Sequence, residues 1–104
     1  MPDTALFDIV DMRAAAAEAT AALRSLTHED RLLLLCQISQ GERCVSDLQT
    51  ELDMQQPMLS QQLGVLRRAG LVSTRRDGKR IYYRVSDARI LAVLQTLYEN
   101  YCPQ

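Results

Sequence analysis

At 104 residues the chain is long enough for one domain and too short to cover all of its apolar surface, so a partner copy is expected. Apolar residues make up 47% and charged residues 24%, a globular balance that excludes disordered and fibrous classes. The net charge of -1 is unevenly spread: residues 1–30 hold six acids and two bases, whereas residues 67–84 hold seven bases and one acid.

No apolar run reaches the length of a membrane span, and the acidic start MPDTALFDIVD lacks the basic flank of a secretory leader. A cytoplasmic protein with no membrane partner is expected. In that reducing compartment Cys36, Cys44 and Cys102 do not form a disulfide framework, and catalysis, metal binding, redox sensing and packing stay open for them.

Met12 to Leu26 (MRAAAAEATAALRSL) has high helix propensity, and its alanines offer a small-residue surface for close packing of another helix. It is expected to be an interface helix. Thr27 is placed as the N-cap of a second helix, Glu29 to Ser39, with Glu29 and Asp30 at the positive end of its dipole and Gly41 stopping it. His28 is assigned to the first turn of that helix as a structural or exposed residue. CVSDLQTEL follows as a short helix burying Val45, Leu48 and Leu52. Pro57 fits the first turn of the next helix, which buries Leu59, Leu63 and Leu66, ends at Gly70, and turns Ser60, Gln61, Gly64 and Arg67 the other way. The period then falls to two. LVSTRR and RIYYRV are strands around Asp77-Gly78, the dipeptide favoured in a type I′ hairpin turn. A last helix, Asp87 to Tyr101, carries Ile90, Leu91, Leu94, Leu97, Tyr98 and Tyr101, a stripe too wide for one small core.

Two short helices joined by a tight turn, with a basic hairpin behind them, make a mainly α protein with a β-hairpin wing: a winged helix-turn-helix filling 1–104 as a single DNA-binding domain. Gln55, Gln56, Ser60, Gln61 and Gln62 offer amides and a hydroxyl to base edges or phosphates of double-stranded operator DNA. Arg67, Arg75, Arg76, Lys79 and Arg80 supply the cationic stripe. A merely solvated basic face is the bland reading of that stripe, and coupling to the glutamine-rich helix ranks it below DNA contact. A winged helix used only for protein contacts is the rival; it does not need seven bases in eighteen residues. With no Cys-His pairing, phosphate-cradling glycine loop or paired carboxylates at a telling spacing, no enzyme is expected and no cofactor is assigned.

The segments LTHEDRLLLL and VSDLQTELDMQQPMLSQQLGVLRRAGLVSTRRDGKRIYYRV, with the closing helix, resemble the ArsR family of dimeric bacterial repressors from about Ala14 to Cys102. The resemblance implies a homodimer joined through the first and last helices, a recognition helix from Pro57 to Ala69, a wing from Arg75 to Arg80, and release from DNA when an inducer binds. Gln62 stands where many members have histidine, a departure expected to retune base preference. Arsenic and lead sensors of the family carry Cys-Val-Cys where this chain has Cys44-Val45-Ser46, and zinc and nickel sensors use His and carboxylate ligands on the last helix. The single histidine, His28, is remote from that helix, so no metal site is assigned and a metal- or metalloid-responsive repressor becomes the alternative.

Cys36 and Cys102 resemble the cysteine pair of the HlyU, BigR and SqrR branch, which senses reactive sulfur species. That resemblance implies low-molecular-weight persulfides or polysulfides as inducer, bridging the two thiols and lowering DNA affinity. A general peroxide or disulfide sensor is the other alternative. A direct disulfide needs Cα atoms roughly 4.4–6.8 Å apart, and each inserted sulfur lengthens the reach by up to about 2 Å, so separation can select the oxidant. Cys44 is expected to be a bystander.

Overall fold

The computed structural model describes residues 8–103; the first seven residues of the acidic start lie outside them. Helix α1 spans Ile9–Leu26, beginning three residues before the predicted start because the Asp8 carboxylate accepts from the Val10 amide at 3.1 Å. Thr27 is not the cap of the next helix. Its amide and hydroxyl both donate to the Arg24 carbonyl, the hydroxyl at 2.8 Å, so it closes α1. That leaves His28 to cap α2 (Glu29–Ser39), with Nδ1 accepting from the Asp30 amide at 3.2 Å and the Arg31 amide at 3.4 Å.

A two-residue strand, β1 (Arg43–Cys44), precedes α3 (Val45–Leu52). Asp53, in the left-handed conformation at φ 53°, turns the chain into α4 (Gln56–Arg68), with Pro57 in its first turn. At the far end Gly70, φ 78°, donates to the Arg67 carbonyl while Leu71 donates to that of Leu66, a Schellman closure that returns Leu71 to the core. Strands β2 (Val72–Asp77) and β3 (Arg80–Val85) form the wing, and β1 pairs with β3 at Tyr83 and Tyr82, giving the sheet order β1-β3-β2. Asp77 pairs with Arg80, so the connecting residues are Gly78 and Lys79, one position later than expected. Gly78 has φ 64° and the only non-glycine with positive φ among the described residues is Asp53, a sign order that fits a type II′ turn and excludes the expected I′. Asp87 caps α5 (Ala88–Tyr101), accepting from the Arg89 and Ile90 amides, and these bonds hold its carboxyl below the usual carboxylate range.

The core gathers around α2, where Leu34, Leu35 and Ile38 meet Leu48 of α3, Leu59, Leu63 and Leu66 of α4, and Ile90 and Leu94 of α5. Burial of each such side chain stabilises the fold by about 1.5–3 kcal/mol. Helix α1 contributes little: of its 18 residues only Ser25 and Leu26 are buried, and Ile9, Val10, Met12 and Leu23 are exposed. It leans on α5 through Glu18 and Arg89, 3.2 Å apart, beside an apolar cleft lined by Ala15, Ala19, Ala22 and Val93. The radius of gyration is 15.8 Å, against about 13 Å for a compact domain of this length. On α5 the wide stripe does outrun the core, with Tyr98 and Tyr101 exposed. Among the described residues no helix is long and apolar enough to cross a membrane.

Candidate nucleic-acid interface and thiol sites

Helix α4 presents Gln56, Ser60, Gln61, Arg67 and Arg68 to solvent, with Gln55 exposed at its N-cap. No side chain caps this N-terminus, and Pro57 in its first turn has no amide N–H to donate. Gln56 Nε2 donates to Ser60 Oγ at 2.8 Å, aligning the two on one exposed edge. Gln62 departs from the expected set. It is 8% exposed, on the side of Leu59, Leu63 and Leu66, and its Oε1 accepts from Arg31 Nη1 at 3.3 Å. Its place between Leu59 and Leu63 already put it at core spacing, a signal present in the sequence.

The wing keeps Arg76, Lys79, Arg80 and Arg84 exposed. Arg75, predicted as part of the cationic stripe, is engaged instead: its Nε lies 2.9 Å from both Glu42 carboxylate oxygens and its guanidinium sits 4.8 Å over the Tyr82 ring. The hydrogen bond to Glu42 is the main cause that raises its pKa. That clamp ties the hairpin to the loop before β1, and sequence spacing gave no sign of it because Glu42 and Arg75 meet only through the β1–β3 pairing. A second tie runs from Arg43 Nε to Glu51 at 3.0 Å and on to Gln37 at 2.7 Å, joining β1, α3 and α2.

The three thiols sit in two environments. Cys36 on α2 is half-buried, and Cys102 is exposed at the C-cap of α5. Burial pushes the Cys36 thiol up, and a negative charge on Cys102 pushes it further. Beside Cys36 a cleft of about 520 Å³ opens between α2 and α5, lined by Ser39, Gln40, Gln95, Tyr98 and Glu99.

Cys44 is 2% exposed and ends β1. Its Sγ lies 3.2 Å from Ser46 Oγ, and its amide donates to Asp47 Oδ2 at 3.2 Å. Hydrogen bonds from the Cys44 side chain and backbone hold the Asp47 carboxyl below its ordinary range. Arg80 and Cys44 line one shallow cleft, and the neighbouring Tyr82 and Cys44 raise the Arg80 pKa. Among the described residues no three His, Cys, Asp or Glu side chains gather where they could hold a metal ion.

The family description "bacterial regulatory protein, arsR family" matches residues 28–74, from the cap of α2 into β2. A biofilm growth-associated repressor of Agrobacterium fabrum is 45% identical over 91 residues, covering 88% of this chain and 78% of its own length. The transcriptional repressor BigR of Xylella fastidiosa has a similar structure, with a TM-score of 0.85 at 41% identity over 94% of this chain and 100% of that one. A homodimeric winged helix-turn-helix domain from Mycobacterium bovis gives 0.69 at 31% identity, over 88% and 87% of the two chains.

Proposed function

Because the chain belongs to the arsR family of bacterial transcriptional regulators, we propose that it works as a homodimeric repressor that binds operator DNA when its thiols are reduced and lets go when persulfides bridge Cys36 and Cys102. What supports the sensing half is the placement of the two thiols: Cys36 of α2 lines an open cleft between α2 and α5, and Cys102 is exposed at the C-cap of α5.

The second subunit covers the exposed apolar residues of α1 together with Tyr98 and Tyr101 of α5, surface that one subunit cannot bury. Two α4 helices then enter successive major grooves about 34–36 Å apart. Gln56, Ser60 and Gln61 face the bases. Arg67, Arg76, Lys79 and Arg80 add the salt-dependent part of the affinity.

The sulfur chemistry balances without a further oxidant. Each thiolate attacks the outer sulfur of a glutathione persulfide and expels glutathione thiolate, leaving a persulfide on both cysteines. The terminal sulfur on one then attacks the cysteine-bound sulfur of the other and expels hydrosulfide, leaving a three-sulfur bridge. Cys102 reacts first, because its thiol is exposed whereas Cys36 is half-buried with a raised pKa. The finished bridge ties α2 to α5 and displaces the paired α4 helices from their DNA spacing.

Peptide mass spectrometry of protein treated with glutathione persulfide, alongside a gel shift, tests the sensing claim. One extra sulfur between the Cys36 and Cys102 peptides, with loss of the shifted band, is expected. Full release in both Cys36→Ser and Cys102→Ser removes the sensor and leaves the DNA-binding claim standing.

A further inference from the structure

We propose that Arg31 is a positioning residue for DNA binding, holding α4 at its working angle by tying Gln62 to the C-terminal end of α1. The proposal rests on the reading of α4 as the recognition helix. A buried glutamine in a stripe of leucines gives up hydrogen bonds to water, and its carbonyl oxygen regains one from Arg31 at 3.3 Å. The same guanidinium donates from Nε to the Ser25 carbonyl at 3.1 Å and from Nη2 to the Arg24 carbonyl at 3.4 Å. Those carbonyls belong to the last turn of α1, where the helix dipole is negative, and that of Arg24 also accepts from the Thr27 amide and hydroxyl.

One planar fork therefore holds the end of α1, the first turn of α2 and the middle of α4 together. Its rigid donor geometry fixes rotation as well as distance, which a lysine ammonium cannot do. Ser60 and Gln61 immediately precede Gln62, so a turn of α4 that broke the Arg31 bond would swing both away from the groove. Arg31 also shares α2 with Cys36, which lies about 7.5 Å further along the helix axis at its ordinary rise.

A double-mutant cycle tests the link. Binding of the full chain to a labelled duplex carrying the region upstream of its own gene is followed by fluorescence anisotropy for Gln62→Leu, Arg31→Gln and the pair. Each single change is expected to weaken binding about tenfold and the pair to weaken it no further, the signature of one shared interaction. The loss is expected to be equal across duplexes changed at single base pairs, with the Gln62→Leu melting temperature unchanged. Gln62→Glu, which keeps an acceptor for Arg31, is expected to bind within about threefold of the parent. Additive losses, or an altered preference at one base pair in Gln62→Leu, overturn the proposal, the latter by making Gln62 a direct reader. Ser60→Ala and Gln61→Ala run in the same assay separate the two claims. If both bind like the parent, the recognition-helix reading falls and takes the positioning role with it; if they weaken binding while the cycle is additive, only the positioning role falls.

Discussion

Cys44 and the Cys36–Cys102 pair are the same residue type in one small chain, held in opposite ways. Cys44 is sealed at 2% exposure, its strand paired to Tyr82, its amide bonded to Asp47 and its sulfur against Ser46. Cys36 borders an open cleft, and Cys102 is exposed at a helix end. Access and anchoring, more than the presence of sulfur, decide which thiol can meet a bulky donor. Cys44 joins β1, α3 and the wing through its pairing with Tyr82 and its contacts with Ser46 and Asp47.

The sharpest contrast is chemical protection. Iodoacetamide is expected to label Cys102 at least about 100-fold faster than Cys44 in the native protein, with the gap closing in urea, because Cys44 reacts only through local opening. Equal native rates, read by peptide mass spectrometry, would erase the distinction between the two environments. Arg80→Ala should narrow it about tenfold by uncovering Cys44, and should also lower the slope of log affinity against log salt by about one if Arg80 meets a phosphate. Asp47→Ala is expected to cost up to about 1 kcal/mol in urea unfolding, the scale of a lost helix-cap bond.

The pH dependence of Asp47 has a defined sign. Its folded pKa is lowered, so its contribution is present above the unfolded carboxylate value of about 3.9 and disappears as pH falls through the lower folded value. Unfolding midpoints of parent and Asp47→Ala should therefore converge in acid. The smallest effect concerns Cys36. Its alkylation should rise with pH later than that of an ordinary thiol, and Cys102→Ser should recover only the lesser part of the delay, since burial is its larger cause.

Most of the architecture was legible because its signals are local. Leu59, Leu63 and Leu66 mark the buried face of α4, Pro57 its start and Gly70 its end, and the Glu29–Ser39 helix has the predicted bounds. What sequence reasoning missed depends on partners far along the chain. Strand β1 exists only against Tyr82 and Tyr83, and the Arg75 clamp needs Glu42 beside the hairpin. The cap exchange between Thr27 and His28 arises because α1 claims the threonine hydroxyl first. Gln62 was misread for another reason: its polarity outweighed a spacing that already placed it inward. Of the candidate site, the exposed face of α4 and the wing cations were readable, whereas the Arg31 fork gave no periodic signal.

The eighteen-residue α1 that hides only Ser25 and Leu26 has a bearing on cellular dose. If a second copy supplies its cover, ordering of that helix and pairing of subunits form one equilibrium. Melting temperature then climbs with protein concentration, and promoter occupancy in dilute solution follows the square of copy number, so a cell that halves its supply of this regulator surrenders about three quarters of its bound population.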